Sequence, residues 1–98
     1  MLLQAIRGAI ERSREALGQV AKLERLRERY ASLTRREGEV MTLVVAGLPN
    51  KEAAAELGRS EITIKGHRGK VMQKMEAGSL ADLVRMAARL SLTPAPKG

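Results

Sequence analysis

Apolar side chains recur at three- and four-residue steps from the start of the chain: Leu3, Ile6, Ile10, Leu17 and Val20, then Leu23, Leu26, Tyr30 and Leu33. That spacing marks one face of a helix, and it predicts a single long helix over residues 2–30. The step from Val20 to Leu23 is shorter than a strict heptad allows, so the seam drifts there. Gly8 and Gly18 each weaken the helix by about 1 kcal/mol relative to alanine. At ~1.5 Å per residue such a helix is ~45 Å long, longer than the small domain that follows it. Its whole stripe cannot be buried against that domain. A partner helix, most simply the same helix of a second copy, is the expected cover for Leu3, Ile6, Ile10, Leu17 and Val20. The competing reading is a partly frayed, solvated linker.

Four shorter helices are predicted beyond it. Thr34-Arg35-Arg36-Glu37 has the form of a capping box, in which the threonine oxygen takes the Glu37 amide and the carboxylate reaches back. The helix it opens should run to about Ala46 and stop at Gly47, with Pro49 just beyond. Asn50 is the expected N-cap of the next, Lys51 to Leu57, closed by Gly58. Ser60 caps a third from Glu61 to about Glu76, closed by Gly78. Ser79-Leu80-Ala81-Asp82 reads as a second capping box and opens the last helix, to about Leu92. No segment reads as a strand. The expected fold is all-α: a linker or dimerisation helix over residues 1–32, a four-helix domain over 33–92, and a tail over 93–98 with no folding signal.

Composition removes whole classes of chemistry. With 98 residues and no cysteine there is no disulfide framework, no thiolate nucleophile and no sulfur-ligated metal. One histidine, His67, is too few for a His-based zinc site. Tyr30 is the only aromatic, so the stacking platforms that read single-stranded nucleic acid are missing. Ser60 and Ser79 stand in no nucleophile context and are caps, and the methionines are core fillers. We therefore expect no enzyme, no metal and no cofactor or small-molecule ligand. The longest nearly apolar run, Val40–Leu48, is nine residues, against the ~17–25 that a membrane span needs. Arg7 interrupts the apolar start, so no export signal is read and the bacterial cytoplasm is the expected location.

Charge adds a partner. The net charge is +7 and the sequence pI is about 10.6, an excess that suggests a polyanion, nucleic acid before membrane. Its placement matters more than its total. Between residues 59 and 74, Arg59, Lys65, Arg68, Lys70 and Lys74 face only Glu61, and the rest of residues 34–98 is neutral.

That basic helix follows its predecessor across only Gly58-Arg59-Ser60. Two helices joined by a short glycine-containing turn, the second of them basic, form a helix-turn-helix signature. Ala53, Ala54 and Ala55 permit close crossing, and Leu57, Ile64 and Val71 supply the apolar contact behind it. Ile64, Val71 and Met75 share one face, leaving Lys65, Arg68, Lys70 and Lys74 to meet phosphates or bases of duplex DNA.

The stretch LTRREGEVMTLVVAGLPNKEAAAELGRSEITIKGHRGKVMQKMEAGSLADLVRMA, residues 33–88, resembles the C-terminal DNA-binding domain of LuxR/NarL-type regulators, and within them the FixJ-type response regulators. The resemblance rests on LTxRExEV, AGLxNKE, SxxTxKxHR and AxSxADLVRxA. It implies that the helix at about 61–76 docks in the major groove, with Lys65, Gly66 and Gly69 at positions that touch DNA. It places Ser60, Thr63, His67 and Lys70, with Asn50 and Lys51, near the phosphate backbone. It further implies that the last helix helps two copies pair on DNA, where Met86 and Leu90 widen its apolar stripe. Promoter DNA, a second copy and RNA polymerase are the partners this suggests.

Some positions depart from the family pattern. Gly38 stands where a long polar side chain is usual, Ala53 where a larger aliphatic is common, Arg59 where the turn is usually apolar, and Gly66 where a side chain often faces a base. The phosphoacceptor aspartate of such regulators is missing as well. The one aspartate, Asp82, sits in a capping box. Two origins fit, a fragment of a longer regulator or an output module without its own switch. The rival function is a dimerisation module that titrates a full-length regulator.

Overall fold

The computed structural model describes the backbone of residues 2–92 and the side chains from residue 14 onward. The side chains of Leu3, Ile6 and Ile10 and the predicted tail, 93–98, lie outside the described residues. Among the described residues five helices follow in the order α1 Leu2–Ala31, α2 Arg35–Val45, α3 Asn50–Leu57, α4 Glu61–Met75 and α5 Leu80–Arg89. The fold is all-α, as the periodicity predicts.

Helix α4 is the hub, packed against α1, α2 and α3, while α2 also touches α3 and α5. Its row Ile64, Val71 and Met75 is fully buried and meets Val40, Met41 and Val44 of α2, Ala53 and Ala54 of α3, and Leu83 and Ala87 of α5. Removing each of the large side chains from water is worth ~1.5–3 kcal/mol before ordering entropy is counted. Ala53 is wholly buried, so the small residue there brings α3 close to the hub. Leu26 anchors α1 to this core, with Leu23 and Tyr30 packed beside it. Farther up α1, Leu17 and Val20 are 67% and 58% exposed, as expected of a helix longer than the domain it packs on.

The helix starts obey local chemistry, with two corrections. Both bonds of the Thr34 box form: the Glu37 amide donates to Thr34 Oγ1 at 3.2 Å, and the Thr34 amide donates to Glu37 Oε1 at 2.9 Å. Asn50, however, is the first residue of α3 rather than its cap. Pro49 holds the extended cap conformation, and its carbonyl accepts from the Ala53 amide at 2.9 Å. The fixed φ of proline suits that corner, and the Asn50 side chain is released for a longer-range bond. At α5 the Asp82 amide donates to Ser79 Oγ at 3.1 Å, but the Asp82 carboxylate accepts the Gly78 amide, also at 3.1 Å, instead of that of Ser79. Asp82 also pairs with Arg85. It is fully occupied as a cap.

The helix ends differ more. α4 stops at Met75, and the left-handed capping residue is Glu76 at φ 55°, not Gly78. This turn swings the Glu76 carboxylate onto Arg29 Nε of α1, 2.8 Å away. α5 ends at Arg89, short of the expected Leu92. Met86 and Leu90, expected at a free edge, are half-buried. Both pack against the core, and Met86 lines a groove with Leu26 and Arg29 of α1. Leu80 is the large hydrophobic side chain of α5 left exposed, at 42%.

Glu37 does more than cap. It is the one buried charged residue among those described, and its Oε1 accepts a 2.7 Å bond from Lys74 Nζ of α4. The Lys74 ammonium first, and the Thr34 amide second, hold its carboxyl below the ordinary 4.5 against the opposing effect of burial. A carboxyl whose pKa is lower folded than unfolded stabilises the fold fully above its unfolded value. That contribution is lost as pH falls through the folded one. Melting curves taken from about pH 7 to about pH 3 should therefore fall more steeply for the wild type than for Glu37→Gln, and converge in acid. Parallel curves would show that the ion pair contributes nothing to the fold.

Candidate nucleic-acid interface

The turn between α3 and α4 is built by backbone geometry. Gly58 lies at φ 63° and ψ 38°, a left-handed conformation that a side chain would strain. The Arg59 amide then donates to the Ala54 carbonyl at 3.0 Å, and the chain enters α4 through Ser60. Ser60 Oγ accepts the Thr63 amide at 3.2 Å, and the two hydroxyls lie 2.9 Å apart. The first turn of α4 is thus capped, exposed and rich in hydroxyl groups.

Burying Ile64, Val71 and Met75 fixes which side of α4 faces outward. Lys65, Gly66, Gly69 and Lys70 are all placed away from that row, with Thr63 exposed in the first turn; Lys65, Gly66, Gly69 and Lys70 are exposed or nearly so. His67 and Arg68 are half-buried on the flanks. Arg68 Nη1 donates to Asn50 Oδ1 at 3.1 Å, so two of the predicted contact residues, 18 positions apart, are brought together. Lys51 is exposed beside them in the first turn of α3. This gathers Asn50, Lys51, Ser60, Thr63, Lys65, Gly66, His67, Arg68, Gly69 and Lys70 around α4 and its entry.

Lys74 does not belong with them. Beyond its bond to Glu37, its Nζ lies 3.4 Å from the Ser32 carbonyl at the end of α1. It is the cation of a largely buried ion pair, turned toward α2 and the α1–α2 corner. The positive surface is carried instead by Lys65 and Lys70, with Lys51 of α3 and Arg59 of the turn, all exposed. Arg59 lies in the basic window but at no position that the family resemblance assigns to DNA, and neither charge nor motif marks Ile62 or Gln73. Ile62 is exposed on α4 and Gln73 lies farther along the same helix; their spacing from Gly66 and Gly69 is the signal that could have found them.

Residues 31–87, more than half of the chain, match the family described as bacterial regulatory proteins, luxR family. The chain belongs to that family. It is a helix-turn-helix domain of DNA-binding transcription regulators, and the family is not one of enzymes. This luxR-family chain is 47% identical over 92 residues to nodulation protein W of Bradyrhizobium diazoefficiens, covering 94% of the chain and 40% of that protein. It is 42% identical over 89 residues to response regulator protein TodT of Pseudomonas putida, covering 91% and 39%. In three dimensions it is similar to full-length FixJ from B. japonicum, with a TM-score of 0.74 at 40% identity, over 95% of this chain and 46% of that one. The chain spans about two-fifths of the length of the curated relatives it matches. Among the described residues no helix is long and apolar enough to cross a membrane.

Proposed function

We propose that the chain is the output domain of a two-component-type response regulator. In this reading it binds promoter DNA sequence-specifically in the bacterial cytoplasm, with α4 in the major groove. The observation that carries the reading is the division of α4 into two sides. One is locked in the core, and the other presents Lys65 and Lys70 around an open strip of backbone. A duplex major groove is wide enough to admit such a helix. Lysine at position 65 can donate to guanine O6 and N7, while Lys51, Arg59 and Lys70 have the reach to neutralise phosphates on either side.

Two copies would occupy adjacent half-sites. Pairing is proposed through the long helix, where Leu17 and Val20 are exposed, and through α5, where Met86 and Leu90 are half-buried and Leu80 is exposed.

The test is a fluorescence-anisotropy titration of the 98-residue chain against duplexes selected from a random pool, with random duplex as reference, at several salt concentrations. About three neutralised phosphates per copy should give a log K against log salt slope of about −3 per copy. Selected duplex should also bind at least about a hundredfold tighter than random duplex. Equal affinity for the two pools, or no binding to either, would overturn the proposal in favour of a module that acts only through protein contacts.

A further inference from the structure

Among the large hydrophobic side chains described, Ile62 is the most exposed, at 84%. It stands in the first turn of α4, on the side opposite the buried row Ile64, Val71 and Met75. The fold gains nothing from it there, since a β-branched residue is a mediocre helix former. Along the helix, Gly66, Gly69 and Gln73 succeed it at i+4, i+7 and i+11, so the four share one outward strip.

The two glycines in that strip are unexplained by the fold as well. A methyl group added at Gly66 or Gly69 would meet nothing within 4 Å. Neither is among the residues with positive φ. Neither packing nor backbone conformation requires glycine at these sites, and each glycine weakens the helix. Their joint effect is to strip the middle of the outward face down to backbone. A short side chain at the leading end of the face then projects beyond the bare middle of the strip.

This arrangement fits one feature of duplex DNA. The thymine C5-methyl is the apolar group on the floor of the major groove, and recognition helices touch base edges with their N-terminal residues. Phosphate offers an isoleucine nothing. Bare backbone at Gly66 and Gly69 lets the helix settle closer to the base edges, within reach of a branched four-carbon side chain. We infer that Ile62 is a specificity-determining residue that selects thymine through apolar contact with its C5-methyl group. The inference rests on the major-groove reading proposed above.

The experiment uses the whole chain and a duplex selected from a random pool. Each thymine of the selected site is replaced in turn by deoxyuridine, which keeps the hydrogen-bonding groups and lacks only the methyl. Affinities are measured for the wild type and for Ile62→Ala. At one thymine per bound copy, deoxyuridine should weaken the wild type by about fourfold, the value of one buried methyl group. Ile62→Ala should be weaker on the parent site and indifferent to that replacement, with an unchanged salt slope and a thermal midpoint no lower than that of the wild type. The inference is overturned if no replacement weakens the wild type, or if Ile62→Ala keeps the full sensitivity. In either case, sequence-selective binding by the wild type would leave the major-groove reading standing. Absence of selective binding would remove both together.

Discussion

Lys74→Ala should unfold about 10 °C below the wild type, because it strands a buried carboxylate. Glu37 has a side chain only 7% exposed, and Lys74 Nζ is its cationic partner at 2.7 Å. Removing one member of a fully buried pair costs about 3–5 kcal/mol. Lys74 is 32% exposed, so water reaches the gap and a loss of about 2 kcal/mol is the better expectation. For a domain of this size each kcal/mol moves the midpoint by roughly 4–8 °C. Adding Glu37→Gln should recover part of the loss, since the stranded charge is then gone. At temperatures where both proteins are folded, DNA binding by Lys74→Ala should keep the wild-type salt slope. An unchanged midpoint with a shallower slope would return Lys74 to the DNA surface.

Lys65→Ala should lose about 1–3 kcal/mol of affinity on a selected site and much less on random duplex. Lys70→Ala should weaken both duplexes alike and lower the salt slope by about one. The contrast comes from the placement of the two cations on α4. Lys65 lies one turn inside the capped end, beside the glycine strip, while Lys70 flanks that strip near the half-buried His67. Equal losses for Lys65→Ala on selected and random duplex would make it a phosphate contact only.

The Thr34 box, the Ser60 and Ser79 caps and the Gly58 turn are all set by partners within a few residues, so residue order alone reveals them. The buried row of α4 is equally legible from its spacing. Contacts made across the fold escape such a reading. Nothing near Glu37 in the sequence announces that its carboxylate also takes a lysine 37 residues away. Nor does anything near Asn50 announce Arg68.

α5 illustrates a different limit. Leu80, Leu83, Val84, Met86, Ala87 and Leu90 fall on one side, an arc of about 160° at about 100° per residue, and residue order does not say which edge of so wide a stripe its neighbours cover. Met86 and Leu90, at one edge of that arc, are half-buried against the core, and Leu80, toward the other edge, is exposed. Ile62 escapes for a chemical reason. Charge draws attention to this helix, and an apolar reader carries none.

Entry of α4 into the major groove is the central claim, and protection from dimethyl sulfate on a selected duplex tests it most directly. The reagent methylates guanine N7 in the major groove and adenine N3 in the minor groove. Bound wild-type chain should shield guanine N7 within each half-site and leave adenine N3 there reactive, and Lys65→Ala should lose part of that shielding. Protection confined to adenine N3, or tight binding that shields neither atom, would contradict it.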